Sequence, residues 1–147
     1  MTSRAANPRN SADRVDLAVG DRFVVTVEKV AHGSHFIVRH LGAVIFVRHG
    51  IPGEEVEIEI TGTGSSFNRA DVVSVITPSP DRVSAPCQFA HRAGCGGCDF
   101  QHISLPRQRK LKSEVITEQF SRIAKQDIEV DVEEVGAALG YRTRFNA

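Results

Sequence analysis

Residues 86–102 read PCQFAHRAGCGGCDFQH and contain all three cysteines of the 147-residue chain. Cys95 and Cys98 flank two glycines, and Cys87 lies upstream of them across seven residues. Two thiolates at this spacing can reach one metal centre, and glycines let backbone N–H groups approach bound sulfur. Because thiolates select zinc, copper(I) or iron–sulfur clusters, the stretch predicts a metal or cluster site on one loop.

The fourth ligand of this site is left open by the loop itself. A closed zinc or cluster site takes four ligands. His91 would complete a zinc site of three cysteines and one histidine, whereas a cysteine from elsewhere would complete an iron–sulfur cluster. The alternatives are plain buried cysteines or a redox dithiol at Cys95 and Cys98, although the thioredoxin-like βαβ setting typical of such a dithiol is not seen. Three cysteines cannot all pair within the chain, so reduced thiols in the cytosol are expected.

Upstream of the cysteines, residues 18–79 predict a small β-domain. Apolar and polar side chains alternate along short segments, for example at Phe23, Val25 and Val27. Turn signals separate these segments at residues 32–34, 52–53 and 62–66. Five short strands at this spacing predict an OB-like antiparallel barrel, in which closure of the sheet removes exposed edges. Residues 1–17 are polar and predict a disordered basic arm.

Barrels of this kind bind single-stranded nucleic acid through a positive groove with stacking side chains. The cationic residues on the corresponding elements are Lys29, His32, His35, Arg39, Arg48 and Arg69, and the phenylalanines near them are Phe36, Phe46 and Phe67. The alternative is that the phenylalanines fill the barrel and the charges are solvated. Acidic residues concentrate instead between residues 54 and 59, which predicts two faces of opposite sign.

A second basic set lies between residues 82 and 112, where six basic residues stand against one acidic residue. Such a local excess neutralises phosphate wherever it lies on the surface. The residues after position 80 that are predicted to contact RNA are Arg92, Arg107, Arg109, Lys110, Arg142 and Arg144.

Residues 80–103 form the predicted cysteine-rich segment, and residues 104–147 predict the start of an α+β domain. Ser104 is placed as an N-cap with Pro106 in the first turn, and apolar residues then recur at helical spacing to about Lys125. This amphipathic helix is expected to pack its apolar stripe in a core. Alternation at 128–132 and a segment from Gly140 predict strands of an incomplete sheet.

Overall charge excludes a protein that is drawn to nucleic acid by its net charge, and hydropathy excludes a membrane-spanning or exported protein. Eighteen basic and eighteen acidic residues cancel, so no global field draws the chain to nucleic acid, and any basic surface is local. No apolar run is long enough to span a bilayer, and the first residues lack the apolar core of a signal peptide. A soluble, cytoplasmic protein is expected.

Several motifs together resemble the N-terminal half of the bacterial class I uracil-C5 RNA methyltransferases, which use S-adenosylmethionine (SAM) to modify transfer or ribosomal RNA. They are PSPDRVSAPC, CGGCDFQHI, LPRQRKLKSEVITEQFSRI and GYRTR. The earlier VEKVAHG, FVRHGIPGEEVEIEI and FNRADVV are similar to the TRAM domain that precedes the cluster in many of those enzymes, and that domain implies RNA binding. Residues 34–38 depart from the glycine-rich start more usual for its second strand.

This resemblance implies that Cys87, Cys95 and Cys98 are three of the four ligands of a four-iron, four-sulfur (4Fe-4S) cluster, with the fourth cysteine later in the central domain. The sequence contains no glycine-rich SAM loop, and no cysteine is left over to attack uracil. We therefore expect an RNA-positioning portion of such an enzyme that does not transfer methyl groups by itself. A stand-alone zinc-binding RNA module and a non-functional remnant are the alternatives.

Overall fold

The computed structural model describes residues 16–141, 143 and 144. The chain divides into two compact units, Met1–Ile103 and Ser104–Ala147. The predicted arm falls outside the described residues except for Asp16 and Leu17, as does Arg142. In the described part of the chain, no helix has both the length and the apolarity needed to cross a membrane.

The first unit is built on a six-stranded sheet. Its strands are β1 (Arg22–Thr26), β2 (Lys29–Ala31), β3 (His35–His40), β4 (Ala43–Arg48), β5 (Glu55–Gly62) and β6 (Asn68–Thr77). Their order across the sheet is β1-β5-β6-β4-β3-β2. Strand β6 turns back from β5 and lies between β5 and β4, which makes it antiparallel to β5 and parallel to β4.

The core of this unit follows from strand alternation, because every second side chain points to the same face of a sheet. The fully buried side chains include Phe36, Val38, Ile45, Val47, Val56, Ile58 and Ile60. The prediction of a mainly β, OB-like domain is confirmed.

Two details of the sheet differ from the prediction. A sixth strand, β2, is present, and the sheet is not closed, since its outer strands β1 and β2 are not hydrogen-bonded to each other. The rings of Phe23 in β1 and His40 in β3 stack at 4.1 Å across this opening, with an interplanar angle of 13°. One stacked ring pair therefore bridges the outer part of the sheet where backbone pairing is absent.

Glu54 joins the turn before β5 to the segment after β6. Its side chain is fully buried. Its two carboxylate oxygens accept hydrogen bonds from the backbone N–H groups of Ile51 (2.9 Å) and Ser79 (3.0 Å). They also accept a bidentate pair from Arg82, at 2.6 Å to both Nε and Nη2. Arg82 Nη2 in turn donates to the carbonyl of His49. A buried charge is satisfied here on every side, as its burial requires.

The second unit begins with helix α1 (Leu105–Gln119), which continues as a π-helical turn, Phe120–Ala124. The predicted helix is confirmed, but the Ser104 side chain makes no capping hydrogen bond. The Ser104 carbonyl accepts from Gln108 N–H instead. The apolar stripe is only partly buried, since Leu111 is fully buried whereas Ile123 is 76% exposed.

The strands predicted at 128–132 and from Gly140 are wrong within the described residues, which carry no strand after Ala124. The segment makes other contacts: Val132 N–H donates to the Ser113 hydroxyl, and the Glu134 carboxylate pairs with Arg109 at 2.9 Å. Alternation alone does not make a strand, because an extended segment needs a hydrogen-bonded neighbour to be stable.

Candidate functional site

An aromatic surface lies on the outer side of the sheet, opposite to the core. Side chains alternate along a strand, and the neighbours of Phe46 in β4, Ile45 and Val47, are buried. Phe46 therefore points outward. Its ring contacts His35 at 6.2 Å and Phe67 at 5.1 Å, both nearly perpendicular. His35 is itself fixed, since its Nδ1–H donates to the Gly33 carbonyl at 2.7 Å. We call His35, Phe46, Phe67 and Arg69 the aromatic face.

Arg69 supplies the positive charge of the aromatic face. Phe46 and Arg69 are direct partners in the parallel β4–β6 ladder. The Arg69 guanidinium carbon lies 5.6 Å from the centre of the Phe67 ring, within the range of a cation–π contact. Phe67 is 41% exposed. Arg69 is exposed as well, so one ring and a guanidinium are open to solvent together, as a surface for stacking bases and binding phosphate requires.

A cavity of about 320 Å³ opens beside the aromatic face. His35 and Phe46 line it, together with Arg48 of β4 and Asp71 of β6. Arg48 and Asp71 are partners in the same parallel ladder, so a cation and an anion sit side by side in the cavity wall. Arg48 also pairs with Asp99 at 3.0 Å.

The other cationic residues predicted on this unit are distributed more widely. Lys29 and His32 are exposed at β2 and the following turn, and Arg39 pairs with Glu28. Arg92 pairs with Glu59 of β5 and lies 3.8 Å from Asp71. The structure therefore gathers His35, Arg48 and Arg69 around one cavity and leaves Lys29, His32 and Arg39 outside its lining.

The predicted acidic face is partly neutralised. Hydrogen bonds from Arg22 and, to a smaller extent, from Arg92 lower the pKa of Glu59 from its ordinary value. Glu54, counted with this face from the sequence, is buried instead. The negative charge on the outer side of β5 is consequently smaller than the sequence indicates.

In the second unit, the predicted RNA contacts lie among acidic partners. Arg107 pairs with Glu114 at 2.8 Å and Arg109 with Glu134 at 2.9 Å. Lys110 and Arg144 are exposed. RNA contact by these residues stays a prediction.

The cysteine loop, residues 83–102, is fixed at both ends to the first unit. Arg82 and Ile103 form an isolated antiparallel bridge, and Val83 N–H donates to the His102 carbonyl at 3.0 Å. Inside these ends, the Gln101 side-chain carbonyl accepts from Cys87 N–H at 3.1 Å. The residues after Cys98 thus close the base of the loop.

His102 anchors the loop to the turn between β4 and β5. Its Nε2–H donates to the Gly50 carbonyl at 3.0 Å, and its ring contacts His49 at 6.0 Å. Burial lowers the pKa of His102 to about 4. The pKa of His49 is also lowered, mainly by burial and to a smaller extent by the neighbouring charge of Arg48. Both rings are therefore neutral at physiological pH.

Two further contacts join the loop to the sheet. Phe100 packs on the buried ring of Phe36 at 5.7 Å, and Asp99 makes the ion pair with Arg48 described above. Arg48 lines the cavity and Asp99 directly follows Cys98, so this ion pair connects the cavity wall to the cysteine loop.

Cys87, Cys95 and Cys98 are exposed and free of disulfides. The loop between them is tight: Cys95 N–H donates to the Phe89 carbonyl, and a Cβ added at Gly94 would lie 2.2 Å from that oxygen. A Cβ at Gly97 would lie 3.4 Å from Cys95 Sγ, an ordinary van der Waals contact. No three His, Cys, Asp or Glu side chains of the described residues are arranged to hold a metal ion, and the predicted ligand set stays a prediction.

His91, the alternative fourth ligand, carries its proton on Nδ1, because that nitrogen faces the Arg92 carbonyl at 2.7 Å. Its Nε2 is the nitrogen left for coordination, and metal-binding histidines commonly donate the other N–H to a carbonyl in this way.

Sequence reasoning missed the carboxylates at Asp71 and Asp99 and the anchoring roles of Gln101 and His102. Neither carboxylate lies in a spacing pattern that indicates a site. Their roles come from partners in other elements, such as Arg48 and Gly50, which no local pattern reveals.

Comparison with known families assigns the first unit. A family model described as the TRAM domain matches residues 16–73. Residues 16–73 form a TRAM domain. This range includes the whole aromatic face and every residue that lines the cavity. The cysteine loop follows the TRAM domain and is anchored to it.

The relatives of the chain extend well beyond the TRAM domain. An uncharacterized RNA methyltransferase of Streptomyces coelicolor is 50% identical over 109 residues, which are 72% of this chain and 24% of that protein. The 23S rRNA (uracil(1939)-C(5))-methyltransferase RlmD of Shewanella amazonensis is 36% identical over 86% of this chain and 28% of its own length. The RlmD of Chromohalobacter salexigens is 35% identical over 96% of this chain and 29% of its own length.

The chain therefore spans about a quarter to a third of the length of these relatives. The predicted resemblance to RNA methyltransferases is confirmed. A solved structure of a conserved protein from Methanococcus maripaludis is 26% identical and covers 48% of this chain and 100% of its own, with a TM-score of 0.39.

Proposed function

We propose that the TRAM domain binds single-stranded RNA on its aromatic face and positions it for a uracil-C5 RNA methyltransferase acting on ribosomal or transfer RNA. The observation that carries this proposal is the contact of half-buried Phe46 and His35 with exposed Phe67, against which Arg69 lies. The names of the relatives support the methyltransferase role, and several name 23S rRNA as substrate.

The chemistry of the aromatic face fits single strands better than duplexes. Bases of a single strand are free to stack on aromatic rings, whereas those of a duplex are already stacked on each other. The net charge of the chain is zero, so phosphate attraction comes from local cations such as Arg69. Binding should weaken with salt, but with a shallow slope because few phosphates are neutralised.

Replacing Phe46 with alanine is expected to weaken the binding of an unstructured RNA by roughly tenfold, since one base–aromatic stack contributes about 1–3 kcal/mol. Arg69→Ala should weaken binding and reduce the salt slope by about one unit. Fluorescence anisotropy at several salt concentrations measures both effects.

Arg122→Ala is the matched control, because Arg122 is exposed on the second unit and pairs with Glu118. It should leave affinity and salt slope close to those of the unaltered chain. Circular dichroism confirms that each variant is folded. Equal affinities of the Phe46→Ala and Arg122→Ala variants would contradict RNA binding on the aromatic face.

We also propose that Cys87, Cys95 and Cys98 hold a 4Fe-4S cluster, with a cysteine from outside these residues as the fourth ligand. Free, exposed thiols on a loop fixed at both ends support this assignment. Such a cluster would order the loop against the TRAM domain, and its thiolates require the reducing conditions of the cytoplasm. The orientation of His91 favours zinc as the second candidate.

Anaerobic purification followed by iron, sulfide and zinc analysis separates these candidates. A cluster predicts iron and sulfide in equal amounts and a broad visible absorption band, both lost in Cys95→Ser and retained in His91→Ala. Zinc retained by the unaltered chain and lost in His91→Ala would instead establish the zinc site. A metal-free protein would contradict the zinc site and a cluster held by these three cysteines alone.

A further inference from the structure

We propose that the cavity beside the aromatic face is a guanine-selective base site, in which Asp71 reads the base. The proposal rests on the RNA binding proposed above and adds a specificity to it. It concerns one unpaired nucleotide of the bound strand.

The ladder between β4 and β6 places the parts of this site in one row. Because the strands are parallel, Phe46 stands beside Arg69, and two residues further along Arg48 stands beside Asp71. Two residues of a strand span about 7 Å, which is comparable to the width of a base. A base stacked at Phe46 therefore has its edge over Arg48 and Asp71. The cavity volume of about 320 Å³ lies at the small end of ligand pockets, as one nucleoside requires.

The side chain of Asp71 has acceptor capacity left over. Among the described residues the cation within ion-pair distance of it is Arg92, whose Nε lies 3.8 Å away, beyond hydrogen-bonding distance. Arg92 makes its close contact with Glu59 instead. No described residue donates a hydrogen bond to the Asp71 carboxylate, although the side chain is only 19% exposed. This half-enclosed carboxylate on a cavity wall is thus available to a ligand.

A carboxylate accepts hydrogen bonds and donates none when ionised. Guanine presents two adjacent donors on its pairing edge, the N1–H and the N2 amino group, which match the two carboxylate oxygens. Adenine and cytosine present one amino donor beside an acceptor nitrogen, and uracil presents one N–H between two carbonyls. Only guanine satisfies both oxygens, so Asp71 favours guanine over the other three bases.

The test compares oligouridines about seven nucleotides long that carry a single central guanine, adenine or inosine. Anisotropy titrations with the full chain should show the guanine oligomer binding roughly tenfold more tightly than the adenine oligomer, as expected of a bidentate contact. Inosine lacks the N2 amino group and should lose most of that preference. This comparison changes only the RNA, so it does not depend on the folding of a variant.

Asp71→Asn should bring the ratio of guanine to adenine affinity close to one, because an amide offers one acceptor and one donor. Glu57→Gln is the matched control: it removes one negative charge from the outer side of β5, where Glu57 contacts Ser74 away from the cavity, and it should keep the ratio. RNA binding without guanine preference, or preference that survives in Asp71→Asn or with inosine, would overturn this inference and leave the proposed function standing. No binding to any of the oligomers would overturn both.

Discussion

Replacing Glu54 by alanine is expected to lower the free energy of unfolding of the first unit by about 3–5 kcal/mol. The substitution leaves the Arg82 guanidinium, which is only 22% exposed, without its bidentate partner. It also leaves the backbone N–H groups of Ile51 and Ser79 without the acceptor that they use in the fold. Urea unfolding followed by circular dichroism measures the loss.

Glu57→Ala provides the control for this prediction, because Glu57 lies on the outer side of β5 and contacts Ser74 at 3.3 Å. Its removal should cost less than about 1 kcal/mol. Arg82→Ala should be strongly destabilising as well, since it leaves the fully buried carboxylate without its counter-ion. If Glu54→Ala were no more destabilising than Glu57→Ala, the buried ion pair would not hold the unit together.

Acidification from about pH 7 to pH 5 is expected to destabilise the same unit through His102. Its pKa is about 4 in the folded protein, below the ordinary value of 6.5. Between these values the unfolded chain binds a proton that the folded protein excludes, so stability falls as the pH falls. The stabilisation is complete above about pH 6.5 and is lost by about pH 4, for a total of roughly 3 kcal/mol. His49 acts in the same direction, because its pKa is lowered too.

Urea unfolding at a series of pH values tests this prediction, with His102→Gln as the comparison. The glutamine amide can donate to the Gly50 carbonyl as the ring does, but it does not titrate. The stability of the variant should depend less steeply on pH between about 5 and 6.5. Glu59, with its lowered pKa, contributes only below its ordinary value of 4.5 and so stays outside this window. Equal slopes for the two proteins would show that His102 is not the group responsible.

Arg48 connects the cavity beside the aromatic face with the cysteine loop. It lines the cavity beside Phe46 and pairs with Asp99, the residue after Cys98. The position of the cysteine loop and the shape of the cavity are therefore linked by one side chain. Local sequence gives no indication of this link, because 51 residues separate its two partners.

The sequence by itself determined the kinds of element and the chemistry available to them. Alternating side chains predicted the β-domain, helical spacing predicted α1, and the motifs predicted the TRAM domain and the resemblance to RNA methyltransferases. The three cysteines on one loop were also identified without the structure. These features depend on residues close together in the chain, where side-chain period and spacing are sufficient.

Tertiary structure decided which face each residue occupies and which partner it meets. Phe46 lies in an uninterrupted apolar run, 43–47, so alternation could not distinguish a core position from the half-buried, outward-facing one that it takes. Glu54 has the same charge as Glu57 but is buried, because Arg82 reaches it from 28 residues away. The segment 128–132 alternates as a strand should, yet no strand of the described residues pairs with it, and it does not form one. Each outcome depends on a distant partner, and the free energy of such a contact is not contained in the local pattern.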